Sequence, residues 1–214
     1  MINTETDYTV LKEDGSLQTR CDLDAIIQAQ GEFSKFIYGC KANNELLPFQ
    51  SETFDSYIAN LSLQLVPNRK NMIIESFRVL KQGGAACFTI WATPEKCNQF
   101  TILSQVFAEF KQTPMVQNAY FDHWADKGAG IRQELTEVGF KDIRMWEQPT
   151  NVFCKNGQEY VDKFAAVEID TFKKMNNLDD VQLQSIKEKC AQAYNEKNKE
   201  TLNTFCVVMI LAHK

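Results

Sequence analysis

Residues 46–91, LLPFQSETFDSYIANLSLQLVPNRKNMIIESFRVLKQGGAACFTIW, decide how the rest of the chain is read. Residues 46–55 hold one proline among polar side chains and predict a connecting loop. Residues 54–63 form a mostly apolar run with Tyr57 and Ile58, the pattern of a strand buried on both faces. Val66-Pro67 opens a new element, and Asn68 is placed to cap a helix. Met72, Ile73, Phe77 and Leu80 recur at helical spacing as far as Lys81, and Gly83-Gly84 is expected to stop that helix. Residues 85–91 read as a second buried strand. A strand, a covering helix and a strand within about 40 residues make a parallel crossover unit.

This stretch resembles the C-terminal half of the class I S-adenosylmethionine-dependent methyltransferases, type 11, the group that includes the ubiquinone and menaquinone biosynthesis enzymes. The resemblance rests on Leu47-Pro48-Phe49, Phe54-Asp55, Asn60-Leu61 and Arg78-Val79-Leu80-Lys81-Gln82-Gly83-Gly84, in that order. It implies an α/β fold: a Rossmann-like sheet with helices on both faces. It also implies S-adenosylmethionine as cofactor and a small molecule as methyl acceptor. In that family a Gly-rich turn after the first strand lets the backbone approach the cofactor. Before residue 46 the glycines are Gly15, Gly31 and Gly39, and none forms a GxG. Counting back, residues 33–38 fall on the family's third strand, 22–30 on the helix before it and 8–11 on the second strand. The expectation is a sheet whose first strand and glycine loop are missing or replaced. Residues 7–12 would then pair beside the strand at 54–61, or a protein partner or second copy would complete the sheet. An in-frame strand ending in GxGxG upstream of Met1 would instead make the chain part of a longer enzyme.

The resemblance also carries candidate cofactor contacts. At Gly39-Cys40-Lys41 the family often has an aspartate that accepts from the adenine amino group. Cys40 is a weak acceptor and Lys41 adds a donor. Glu13 or Asp14 stands about where an acidic residue binds the cofactor's ribose, although Glu-Asp-Gly is also ordinary turn chemistry. Asn60, Leu61 and Gln64 lie at the C-terminal end of a parallel strand, where α/β sheets bind ligands. They would face the cofactor's methionine part and the acceptor, or Asn60 would simply cap the strand end. His123, in Tyr120-Phe121-Asp122-His123-Trp124, is a candidate base or substrate contact, or a histidine packed at a loop edge. No Ser/His/Asp order and no metal-ligand cluster stands out. Methyl transfer from a sulfonium is an in-line displacement driven largely by positioning and desolvation, so a dedicated acid or base is not demanded.

The 214 residues suit one soluble domain, with 44% apolar and 24% charged side chains. A net charge of −5 and scattered basic residues exclude nucleic acid as a general partner. No apolar run reaches the roughly 18 residues of a membrane span. The N-terminus MINTETDYTV matches neither a secretory signal nor a transit peptide. Seven cysteines at 21, 40, 87, 97, 154, 190 and 206 include no CxxC pair, which fits reduced thiols in a cytoplasmic compartment. Cys87 and Cys206 lie in apolar runs and read as core.

Beyond Trp91, residues 98–111 predict an amphipathic helix and 112–130 an irregular aromatic segment. A helix at 131–138 closed by Gly139 and a strand at 140–146 follow, and LTEVGFKDI extends the family resemblance through them. Helices at 159–174 and 178–195 read as an insertion at about 157–196 that often covers the substrate pocket in this family. Residues 201–212 form a last apolar strand. Three functions fit: a degenerate methyltransferase-like pseudoenzyme serving as a structural or interaction subunit, with S-adenosylmethionine or with no cofactor; an active S-adenosylmethionine-dependent transferase; or another nucleotide-binding α/β protein.

Overall fold

The computed structural model describes residues 10–11, 17–18, 42–110, 124, 126–197 and 202–214. In chain order its elements are β1 (Val10–Leu11), β2 (Leu17–Gln18), β3 (Phe54–Ala59), α1 (Arg69–Val79), β4 (Leu80–Trp91), α2 (Asn98–Glu109), α3 (Ala129–Val138), β5 (Lys141–Phe153), α4 (Gly157–Tyr160), α5 (Ala166–Asn176), α6 (Asp180–Lys197) and β6 (Leu202–His213). A 3-10 turn occupies Pro94–Lys96 and a π-helical turn Val161–Ala165. Two compact units emerge: Met1–Ile90 with Asp126–Trp146 and Met209–Lys214, and Trp91–Ala125 with Glu147–Val208.

In the first unit, β3 and α1 follow the crossover read from the sequence. Asn68 caps α1 by accepting from the Asn71 N–H at 3.2 Å. Strands β3 and β4 pair in parallel, and β3, β4, β6 and β5 are hydrogen-bonded neighbours in that order. The last strand runs antiparallel to β4: Gly83 N–H donates to the Lys214 carbonyl and Lys214 N–H to the Gly84 carbonyl. The result is an open, mixed, Rossmann-like α/β sheet. Helix α3 ends at Gly139, whose φ of 114° is left-handed; Phe140 N–H then closes the turn on the Leu135 carbonyl. Two ion pairs, Arg69–Glu134 at 2.7 Å and Lys70–Glu137 at 2.7 Å, join α1 to α3.

Three expectations need correction here. The glycine pair does not stop α1, which ends at Val79; Gly83 and Gly84 lie inside β4. Phe54 faces Leu80 and Ser56 already faces Ala85, so residues 81–84 are looped out of the ladder. Gly83 takes φ 77°, and a Cβ on Gly84 would stand 2.9 Å from the Lys81 carbonyl oxygen and 3.0 Å from that of Asp55. The strand expected over 54–63 ends at Ala59 and is not buried on both faces: Ile58 is 74% exposed. Among the described residues β3 is the last strand on its side of the sheet. Finally, Val10–Leu11 does not pair beside β3. It pairs antiparallel with Leu17–Gln18, forming a separate two-stranded sheet.

The second unit is largely helical. Its core joins Leu103, Val106 and Phe107 of α2 to Tyr160, Ile169, Phe172, Ile186, Cys190 and Tyr194. Phe107 stacks on Phe172 at 3.9 Å and Tyr160 on Tyr194 at 4.7 Å. The helix expected over 159–174 is built from α4, the π-helical turn and α5. Asn177, at φ 50°, ends α5, and Leu178 N–H donates to the Lys173 carbonyl. Cys206 is buried as expected, whereas Cys87, in the first unit, is only half-buried.

Candidate functional site

The C-terminal end of β3 is held by a hydroxyl that the sequence reading passed over. Thr89 Oγ1, on β4, accepts from the Leu61 N–H at 2.8 Å and donates to Asn60 Oδ1 at 2.6 Å. The Leu61 N–H also reaches the Thr89 carbonyl at 3.1 Å. These bonds hold Leu61 at φ 51°, a left-handed conformation that a branched residue adopts only under constraint. The chain thereby turns out of the strand and buries Ser62, Leu63 and Gln64. Gln64 Nε2 donates back to the Leu61 carbonyl at 3.1 Å. Its Oε1 is buried and has no hydrogen-bond partner among the described residues; Gln64 is only 6% exposed. A buried, unmatched acceptor costs about 1–3 kcal/mol, so it marks a place suited to an incoming donor.

Asn60, Leu61 and Gln64 are thus brought together at the strand end. The Asn60 oxygen is taken by Thr89. Glu13, Asp14, Cys40, Lys41 and His123 lie outside the described residues. The neighbouring Trp124 donates its indole N–H to Glu147 at 3.0 Å, and Lys96 pairs with the same carboxylate. The signal for Thr89 was present: it is a hydroxyl residue in the otherwise apolar run 85–91.

Two of the motifs that carried the family resemblance, Leu47-Pro48-Phe49 and the one that begins at Arg78, are joined in one clamp. Arg78 donates to Glu75 through Nε and Nη2, both at 2.7 Å, to the Phe49 carbonyl at 2.7 Å and to the Leu47 carbonyl at 3.0 Å. Glu75 in turn accepts from the Leu47 N–H at 2.7 Å. The Arg78 hydrogen bonds, helped by that N–H, hold the Glu75 carboxyl below its ordinary range against the opposing effect of burial. Burial, with the Glu75 charge, pushes the Tyr57 phenol up, and its ring packs 5.7 Å from Phe88. The arginine of the RVLK motif therefore fastens the Leu-Pro-Phe loop to α1 and fixes where β3 begins.

A cleft of about 530 Å³ opens at the other end of β3, lined by Ser51, Glu52, Ile74, Phe77 and Lys214 among others. Its cations are already matched: Lys70 by Glu137, Arg78 by Glu75 and Lys214 by Glu52. Among the described residues, no group of three or more His, Cys, Asp or Glu side chains could hold a metal ion. No helix among them is long and apolar enough to cross a membrane.

Residues 8–88 match the family model described as a methyltransferase domain. An uncharacterized protein of Methanocaldococcus jannaschii is 33% identical over 103 residues, covering 48% of this chain and 46% of its own length. The mitochondrial 2-methoxy-6-polyprenyl-1,4-benzoquinol methylase of Leishmania donovani is 33% identical over 79 residues, 34% of this chain and 27% of the relative. Among solved structures, Phospholethanolamine N-methyltransferase 2 of Haemonchus contortus superposes with a TM-score of 0.48 at 14% identity, over 89% of this chain and 39% of that one. The chain thus spans less than half the length of these curated relatives.

Proposed function

We propose that this chain, whose residues 8–88 match a methyltransferase domain, is an S-adenosylmethionine-dependent methyltransferase acting on a small-molecule acceptor. The observation that carries this reading is the unmatched Gln64 Oε1 beside the left-handed Leu61. The methionine end of the cofactor bears an α-ammonium, a donor of the kind that this oxygen lacks. Gln64 is held in place by its own Nε2 on the Leu61 carbonyl, and Leu61 by Thr89, so the acceptor is fixed before any ligand arrives. Asn60 stands at the same strand end. The cofactor, when bound, supplies an electrophilic methyl group on sulfur. The protein's part is to orient the two reactants and exclude water. The Leishmania relative, named as a polyprenyl-benzoquinol methylase, supports an organic acceptor of the quinol class.

Calorimetric titration with S-adenosylhomocysteine tests this. One-site binding is expected, weakened about tenfold or more by Gln64→Leu, in keeping with the loss of one bond to a buried acceptor. Equal affinity in the variant would remove Gln64 from the site.

A second reading is favoured by Gly39-Cys40-Lys41, where the adenine acceptor is replaced by a thiol and a cation. On that reading the domain is non-catalytic and serves as an interaction subunit. It binds no cofactor tighter than about millimolar, roughly −4 kcal/mol. If Cys40→Asp restores binding to a chain that otherwise lacks it, the site is intact and only the adenine contact is lost. If neither protein binds, the non-catalytic reading stands.

A further inference from the structure

Asn156-Gly157 is the single Asn-Gly pair of the sequence. Such a pair is prone to deamidate, because glycine has no side chain to shield its backbone nitrogen from the asparagine before it. In the second unit both reacting groups are held. The Gly157 N–H donates to Asn195 Oδ1, on α6, at 2.7 Å. Asn156 caps α4, its Oδ1 accepting from the Glu159 N–H at 3.0 Å. The Asn156 carbonyl is held as well, by the Tyr160 N–H at 3.1 Å and the Cys154 thiol at 3.5 Å. Asn156 itself is exposed, so water reaches its side chain.

The packing beneath this turn is close. Gly157 is buried, and a Cβ at its position would stand 2.0 Å from the Ala191 carbonyl oxygen. Only glycine lets α4 approach α6 to this distance. The same contact stacks Tyr160 on Tyr194 at 4.7 Å, and Cys154 is buried beside it. A glycine that packing demands thus follows an asparagine that capping favours, and the two together make a reactive pair.

We propose that Asn156 is a deamidation site which the α4–α6 contact holds closed, and that its isoaspartyl product parts the two helices. Local opening of α4 takes the Gly157 nitrogen away from Asn195. That nitrogen gives its proton to hydroxide and bonds to Asn156 Cγ. The Cγ–Nδ2 bond breaks, and ammonia leaves with a proton taken from water. A second water opens the five-membered imide at either carbonyl. One opening gives aspartate, with the backbone unchanged and the cap kept. The other gives isoaspartate, whose backbone runs through Cβ and is longer by one atom, about 1.5 Å. Gly157 has no room for that displacement against the Ala191 carbonyl. The proposal is independent of whether the chain binds S-adenosylmethionine.

Peptide mapping by mass spectrometry, on the full chain and on a synthetic peptide of residues 153–160 at pH 8, tests it. Deamidation reads as a gain of one mass unit, and retention separates isoaspartate from aspartate. Asn156 in the folded chain should react about tenfold or more slowly than in the peptide, since it must wait for local opening. Asn195→Ala should speed the reaction roughly tenfold, the effect of one hydrogen bond, whereas Asn195→Asp, which keeps an acceptor oxygen, should stay within about twofold of wild type. Isolated isoaspartyl protein should take up iodoacetamide at Cys154, and the aspartyl product should not. The inference is overturned if folded chain and peptide deamidate at equal rates, if Asn195→Ala matches wild type, or if Cys154 stays unlabelled in the isoaspartyl protein. If Asn195→Ala does not fold, the comparison of folded chain with peptide and the Cys154 labelling decide.

Discussion

Arg78→Met removes the centre of the clamp while keeping most of the apolar stem. The wild-type guanidinium makes two bonds to Glu75 and one each to the Phe49 and Leu47 carbonyls. The Arg78 side chain is 32% exposed and that of Glu75 only 9%. Breaking a fully buried pair costs about 3–5 kcal/mol, because the surviving charge is stranded. Water can reach the position of Arg78 and resolvate the two carbonyls, so the expected loss is smaller, about 2–3 kcal/mol. For a chain of this length that corresponds to a fall in Tm of roughly 5–10 °C. Urea denaturation followed by circular dichroism at pH 7 measures it.

The pH dependence gives a second reading of the same contact. The folded-state pKa of Glu75 is lowered, chiefly by Arg78. Its stabilisation is therefore fully present above the unfolded carboxylate value of about 4.3 and is lost as pH falls through the folded value. The gap between wild type and Arg78→Met should narrow below about pH 4, since the variant lacks that stabilisation. A loss under about 0.5 kcal/mol at pH 7, or a gap that does not change with pH, would refute the clamp as the link between the Leu-Pro-Phe loop and α1.

Gly84→Ala should destabilise more than Gly83→Ala in the same denaturation assay. At Gly83 the new Cβ meets open space and only the left-handed backbone opposes it, about 1–2 kcal/mol, whereas at Gly84 it meets two carbonyl oxygens at 2.9 and 3.0 Å. The reverse order would mean that residues 81–84 are not looped out as described. Among the five described cysteines, Cys87 should react first with iodoacetamide at pH 8, followed by mass spectrometry. Burial pushes the Cys97 thiol up to about 11 and that of Cys190 up to about 12, and both should stay unlabelled until urea unfolds the chain. Labelling of native Cys190 as fast as Cys87 would contradict the packing of the second unit.

Signals that act over a few residues were legible without coordinates. Asn68 caps a helix because its side chain needs only the N–H three residues ahead, and Gly139 ends one because the left-handed turn is a local matter. The order of the Leu-Pro-Phe, Phe-Asp, Asn-Leu and Arg-Val-Leu-Lys motifs was enough to point to the methyltransferase domain that residues 8–88 match and to place Asn60, Leu61 and Gln64 at a strand end. Tertiary structure alone decided how those motifs engage. Gly83-Gly84 resembles a helix stop by composition, yet a partner strand captures Leu80 and turns the pair into a bulge. Thr89 is an unremarkable strand residue until β3 lies beside it, 28 residues earlier in the chain at Leu61. Arg78 reaches back 29 and 31 residues to the Phe49 and Leu47 carbonyls. The unmatched oxygen of Gln64 is visible only once its described neighbours are placed. A pattern along the chain reports which groups are polar; only the closed sheet and the packed helices determine which of them are left without a partner.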